Sequence, residues 1–370
     1  MATGREQATV AVTDATTLAG VMHHFWIAAR HFAEEGAERG SQRILALPCF
    51  EKAADPKHFQ AVLQHITDCA EVCEYVGESL MVAARHPAAL QGDEPVAPCP
   101  MLLLRSFRQA ARPQTDEIDP YADVPSDEYD PYADVPSDDA ATDTGGPDGW
   151  AADEEIMAST RAWVEGVIVK MKVCPFSATA DMAGIPVGGV TYPICHGTTG
   201  EEVYEAFWGQ CQELAATDQR DVSTVLLLTP RFALHSGDGY DALANTLNGA
   251  LTSLQLEDDV QLVFFHPEFA FRDGKDRIGS DGAANYARRS PYPMINLLRT
   301  PQVRDAQKNI PTGSVYEVNE KNLQLVGPAQ LQEMLETRDW GGIYEKEYTK
   351  HSDNLWGAAS QFQQQKTQAE

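Results

Sequence analysis

VQLVFFHPEFAFRDGKDRIGSDGAANYARRSPYPMINLLRTPQVR, residues Val260–Arg304, is the stretch on whose reading the fold turns. Val260 to Phe265 is apolar, too short for a buried helix and bracketed by charge, so it reads as an inner strand. His266-Pro267 ends it, because proline brings no backbone donor to a ladder. A polar loop follows with Asn285, Tyr286, Arg288 and Arg289. Ser290-Pro291-Tyr292-Pro293 then reads as the opening of a short helix, with Met294, Ile295, Leu297 and Leu298 on its apolar side and an end near Pro301. A strand exit, two arginines and a helix N-terminus would thus share one segment.

Working outward, the same grammar repeats. On the C-terminal side of the chain, helices are expected over Asp153–Val173, Glu201–Ala216 and Tyr240–Leu254, with strands at Val190–Cys195 and Thr224–Leu228. After the opening stretch come a helix to about Lys308, an extended piece near Val315–Val318, and a last helix over Pro328–Glu336. On the N-terminal side the pattern gives helices over Thr16–Gly36 and Lys57–Tyr75, strands at Arg43–Leu47 and Leu80–Ala84, and a helix start at Pro98–Arg105. Strands alternating with helices predict an α/β fold with mostly parallel sheets.

The two halves are also alike. Sliding residues 20–50 by 182 onto 202–232 gives eight identities in 31 positions, among them Phe25/Phe207, Trp26/Trp208 and Pro48/Pro230. About two would arise by chance from average usage. A shift of 180 pairs His86-Pro87 with His266-Pro267, and a later one pairs Leu103-Leu104-Arg105 with Leu297-Leu298-Arg299. This is the pattern of a diverged duplication into two related domains, packed against each other, the first truncated. Shared features then belong to the scaffold, and features confined to the second copy are the better site candidates.

Between the halves runs an acidic, proline-rich stretch with a tandem copy, DPYADVPSDEY followed by DPYADVPSDD. Pro113 to Glu155 holds 15 acidic residues and no Lys or Arg, more than half of the net charge of −27. Such a composition cannot offset chain entropy by burial, so a disordered tether is expected. The resulting organisation is 1–112 as the truncated copy, 113–150 as the tether, 151–345 as the principal domain and 346–370 as a polar tail. The charge distribution argues against nucleic acid as a partner. No apolar run approaches the roughly 20 residues of a membrane helix, and the first residues lack a secretory core, so a cytoplasmic protein is expected. Seven cysteines without paired finger spacing read as free thiols in a reducing compartment. No metal site is expected; Cys195, His196, His266 and Glu268 would suit zinc chemically but lack close ligand spacing.

The C-terminal half resembles a family of unknown function, domain-of-unknown-function family 1415, found in bacteria and photosynthetic eukaryotes. The resemblance rests on Cys174-Pro175-Phe176, on Phe265-His266-Pro267-Glu268-Phe269 with Phe271, and on Asn285-Tyr286, Arg288-Arg289-Ser290-Pro291-Tyr292-Pro293 and Leu297-Leu298-Arg299. It covers roughly Asp153 to Tyr344 and implies no reaction and no cofactor. It leaves a plastid location open beside the cytoplasmic one. Asn296 stands where the family usually has a histidine.

Ligands of open α/β sheets sit at the carboxyl ends of strands. The candidate ligand-binding residues are therefore Asn285, Arg288, Arg289, Ser290 and Arg231, a set suited to a small phosphate- or carboxylate-bearing molecule. The candidate catalytic residues are His266 with Glu268 as acid/base pair, and Cys174 as nucleophile. Against these stand plainer roles: salt-bridged arginines, a histidine bonding a carbonyl at a strand end, and a thiol at a helix C-terminus, where the dipole opposes ionisation. The competing function is a non-catalytic interaction module, in which the first copy and the tether serve assembly.

Overall fold

The computed structural model describes residues 8–34, 41–68, 80–88, 90–91, 94–95, 97–106, 149–184, 188–271, 282–308 and 312–350. The tandem repeat, Cys69, Cys73 and the polar tail beyond Lys350 lie outside these residues. In chain order the elements of the N-terminal half are β1 (Ala8–Val12), α1 (Leu18–Glu34), β2 (Gln42–Ala46), α2 (Pro56–Asp68), β3 (Leu80–Arg85), β4 (Leu90–Gln91), β5 (Glu94–Pro95) and β6 (Met101–Ser106). The C-terminal half begins with α3 (Asp153–Trp163), which runs on as a π-helical stretch over Val164–Lys170. Then come β7 (Met182–Ala183), β8 (Gly188–Thr191), α4 (Gly200–Ala216), β9 (Val222–Leu228), α5 (Gly237–Ser253), β10 (Val260–Phe265), β11 (Met294–Arg299), α6 (Thr300–Gln307), α7 (Thr312–Val326) and α8 (Pro328–Thr337).

Two mixed sheets result, so the fold is α/β. The N-terminal sheet has the order β1-β2-β6-β3 and the C-terminal sheet β10-β11-β9-β8-β7. The expectation of mostly parallel strands does not hold. Only β1/β2 and β8/β9 pair in parallel; β6 lies antiparallel between β2 and β3, and β11 antiparallel between β9 and β10.

The reversal comes from two segments expected to be helical. Pro98-Cys99-Pro100 and Pro291-Tyr292-Pro293 push the residues before each proline into extended backbone, and Met101–Ser106 and Met294–Arg299 enter the sheets as inner strands. The apolar run of β11 lacks alternation because both its faces are covered, which is why it mimics a buried helical turn. Ile295 and Leu297 face one core; Met294 faces the other. The expected extended piece near Val315–Val318 is likewise part of α7.

The first core joins the halves. It runs from Leu45, Leu102 and Leu104 of the N-terminal sheet through α1, α2, α4 and α5 to Val225, Leu227, Ile295 and Leu297 of the C-terminal sheet. Helix α1 is apolar on nearly all sides because it touches its own sheet on one side and α4 on the other. Arg30 grips Glu205 with Nε to Oε2 at 2.7 Å and Nη2 to Oε1 at 3.2 Å. Trp26 meets Tyr204 edge-on at 5.0 Å, and the buried His65 ring bonds the Tyr204 hydroxyl at 2.9 Å. Gly209 permits the close approach, since a Cβ there would come within 2.9 Å of the His23 ring. The second core fills the far face of the C-terminal sheet, beneath α3, α7 and α8. Among the described residues, no helix is long and apolar enough to cross a membrane.

Trp208 is fully buried where the halves meet. Trp208→Ala is expected to cost about 3–5 kcal/mol, as large aromatic truncations in cores do. Urea unfolding of the full chain, followed by tryptophan fluorescence, checks this through the shift of the transition midpoint.

Candidate functional site

The far face of the C-terminal sheet is incompletely filled. A cavity of about 300 Å³ lies between β9, β10 and β11 below and the π-helical stretch, α6 and α7 above. Strand alternation supplies the floor, with Thr224 and Leu226 from β9, Gln261, Val263 and Phe265 from β10, and Asn296 and Leu298 from β11. Cross-strand register sets these side chains in rows: Thr224, Leu298 and Gln261 in one, Leu226, Asn296 and Val263 in the next. Four strand steps from Gln261 to Phe265 make the trough about 13 Å long at ~3.3 Å per residue. Trp163, Ile168, Phe176, Phe271 and Leu323 give the opposite wall an apolar character. The π-helical register turns part of that wall inward; such insertions recur at functional sites.

Polar groups in the cavity are few. Asn319 of α7 is buried, at 8% exposure. Its Nδ2 donates to the Val173 carbonyl at 2.9 Å, which fixes the amide, and its buried Oδ1 accepts from none of the described residues. Asn296 Oδ1 is in the same position on the floor. Buried acceptors without donors are uncommon and call for a partner. Asn322, one turn further along α7, shows the contrast. It donates to the Met171 and Thr349 carbonyls and accepts from Thr349 N–H, so nothing is left over.

Of the residues singled out in the sequence, Cys174 and Arg288 line this cavity. Burial pushes the Cys174 thiol up, against smaller opposing effects of hydrogen bonds from the Ser177 side chain and the Phe176 and Ser177 backbone. The thiol is therefore protonated at neutral pH and a poor nucleophile. Arg288 donates from Nη1 to the Phe264 carbonyl at 3.4 Å and lies 5.7 Å from the Phe269 ring centroid.

The other candidates are placed elsewhere. Arg289 is buried and turns away: Nε donates to the Phe269 carbonyl at 3.0 Å, Nη1 to the Tyr286 hydroxyl at 3.1 Å and to Gln332 Oε1 at 3.4 Å. The arginine pair is thus split, one side chain in the cavity wall and one in the scaffold. No helix starts at Ser290, whose hydroxyl instead donates to the Tyr292 carbonyl at 2.6 Å. Asn285 Oδ1 accepts from Phe271 N–H at 2.9 Å. Arg231 stacks over the Trp150 ring at 5.7 Å.

His266 bridges backbone. Its Nε2 lies 2.8 Å from the Ala233 carbonyl, and its Nδ1 accepts from Glu268 N–H at 3.1 Å. His86 does the same in the N-terminal half, with the Ala53 carbonyl at 2.7 Å and Ala88 N–H at 3.0 Å. Both ring nitrogens being engaged, neither faces the cavity as an acid or base. Glu268 Oε2 accepts from Gly237 N–H at 3.2 Å, at the positive end of α5. His196 instead pairs with Asp153 at 3.2 Å. Among the described residues no group of three His, Cys, Asp or Glu side chains is arranged to hold a metal ion.

Three cavity residues were not among the candidate site residues: Asn296, Asn319 and Arg299. Arg299 and Asn296 lay in a strand read as a helix, and Asn319 beside a stretch read as extended. Alternation along β11, had it been recognised, would have pointed Asn296 away from the first core.

Residues 155–333 match the model of a family described as protein of unknown function (DUF1415). The C-terminal half resembles DUF1415. No curated protein and no solved structure matches the chain. Of the DUF1415-like motifs, Cys174-Pro175-Phe176, Phe271, Arg288 and Leu298-Arg299 line the cavity, whereas His266-Pro267-Glu268 and Arg289-Ser290 hold the loops around it.

Burial, the leading cause, lowers the His266 pKa from its ordinary 6.5, so the folded chain holds the ring neutral. The unfolded chain then binds more protons as pH falls below 6.5, and the stability contributed by neutral His266 is lost in that direction. His266→Gln is expected to make the fall of the melting temperature between pH 7 and 5 shallower than in the unaltered chain, read by calorimetry at both pH values. Arg289→Ala is expected to cost about 2–3 kcal/mol because buried acceptors lose a charged donor, measured by urea unfolding.

Proposed function

We propose that the C-terminal half binds a small, largely apolar molecule in the cavity above β9, β10 and β11. One observation carries the reading: the amide of Asn319, fixed by its bond to Val173, presents an unpartnered acceptor to an otherwise mainly apolar hollow. Its size is at the lower end of small-molecule sites, and apolar walls with a few placed polar groups are their usual make-up. A hydrogen-bond donor reaches that acceptor from the ligand or from a water bound beside it. Arg288 and Arg299 in the wall support the expectation of an anionic ligand. Cys174 acts as a packing and hydrogen-bonding group rather than a nucleophile, and His266, Glu268 and Arg289 act as scaffold.

We also infer that the halves descend from one duplicated unit. Support comes from the matching strand orders and directions, and from the two histidine bridges, each spanning 33 residues from ring to carbonyl. The face of the N-terminal sheet that corresponds to the cavity floor carries Met81 and Val10, both exposed. Ligand binding is accordingly assigned to the second copy.

The test is a thermal shift of the full chain with ten-carbon amphiphiles: decanol, decanoate and decylamine. At least one is expected to raise the melting temperature by a few degrees, as preferential binding to the native state requires. Val263→Trp fills the trough, and is expected to abolish the rise. No shift with any of the three, or an undiminished shift in the filled variant, would count against the cavity as the site.

A further inference from the structure

Arg299 is among the residues that line the cavity and follows Leu298 of the row Thr224, Leu298 and Gln261. Its Nε and Nη2 donate to the Val222 carbonyl at 3.1 and 2.9 Å, and Nη2 also to the Thr217 carbonyl at 2.7 Å. These three bonds lock the guanidinium in place. Nη1 is left with no hydrogen bond and the side chain with no ion pair to any described residue. The carboxylate that Arg299 feels, Asp218, is already held by Arg220 through both oxygens at 3.0 and 2.8 Å. Burial lowers the pKa of Arg299, so its surroundings disfavour an uncompensated charge. A half-buried cation held by carbonyls alone, at the rim of an apolar cavity, is an arrangement that an incoming anion relieves. The register of the N-terminal sheet pairs Arg105 with Gln42, as that of the C-terminal sheet pairs Leu298 with Thr224. The sheet register thus moves the pairing by one from the sequence alignment, which set Arg105 against Arg299: Ser106 is the structural counterpart of Arg299 and Arg105 that of Leu298.

Resting on the cavity reading above, we propose that the ligand is an acid with an elongated apolar tail, its oxyanion taken by Nη1 of Arg299 and its tail laid along Leu226 and Val263 toward Phe271. A trough of about 13 Å accommodates an extended tail of roughly eight to ten carbons at strand-like rise. The shared chemistry is an oxygen anion on an aliphatic chain, as a carboxylate or as a phosphate monoester. Arg288, already stacked on Phe269 and bonded to the Phe264 carbonyl, flanks the far end of the tail.

Titration calorimetry on the full chain with decanoate, decyl phosphate and decanol tests the assignment. Both acids are expected to bind about tenfold tighter than the alcohol, the margin of a charge-assisted over a neutral hydrogen bond. The tighter of the two acids identifies the head group. Arg299→Gln is expected to remove that margin, while Arg304→Ala, an exposed cation paired with Asp258 outside the cavity lining, retains it. Because Arg299 also holds backbone, Thr224→Asp serves as a second variant. It places a carboxylate on the adjacent floor position and is expected to abolish acid binding with an unaltered circular dichroism spectrum. Acids no tighter than decanol, or a margin that survives both Arg299→Gln and Thr224→Asp, would overturn the Arg299 assignment while leaving the cavity reading intact. Loss of all three ligands' binding in Val263→Trp, as the cavity reading expects, keeps the two questions separate.

Discussion

Strand β11, clasped antiparallel between β9 and β10, is the constraint on which the rest of the C-terminal half depends. Its side chains must alternate, so Ile295 and Leu297 seal the core shared with the N-terminal half while Asn296 and Leu298 floor the cavity. A slip of one residue would exchange these sets, driving an amide among Phe207, Leu247 and Leu251 and opening two aliphatic side chains to the hollow. The same strand ends at Arg299, whose guanidinium is held by the Val222 and Thr217 carbonyls. Tyr240 fastens that register from the helical layer, its hydroxyl donating to the Met294 carbonyl at 2.6 Å.

The helix layer between the sheets makes the two halves one packing problem. Helices α1 and α4 meet through aromatic edges and the Arg30–Glu205 fork, and His65 reaches across from α2 to Tyr204. One face of the C-terminal sheet is thereby committed to the partner half. The opposite face, beneath α3, α6 and α7, carries the cavity.

Much of this was legible in the sequence. Apolar runs stopped by proline marked β2, β3, β9 and β10. What misled was β11, and β6 with it: a run covered on both faces shows no period, so Pro-x-Pro followed by aliphatics reads equally as a helix start. The sheet directions followed from that one misreading. The arginine pair failed for a related reason, because adjacency in sequence says nothing of direction. Where Arg288 follows the 3₁₀ turn Ala283–Ala287, successive side chains diverge, one lining the cavity and the other buried against the Tyr286 ring. The importance of Asn319 and Arg299 lies in bonds they do not make, and a sequence carries no record of those.

Strand alternation makes the hollow, the amides of Asn296 and Asn319 give it polarity, and a carbonyl-locked guanidinium stands among its lining residues. The most direct measurement is a crystal structure of the full chain with 10-bromodecanoate, in which anomalous scattering locates the bromine. The account expects the carboxylate at Arg299 Nη1 and the bromine near Phe176 and Phe271. A bromine beside Thr224, or a ligand bound outside the space between β11 and α7, would contradict it.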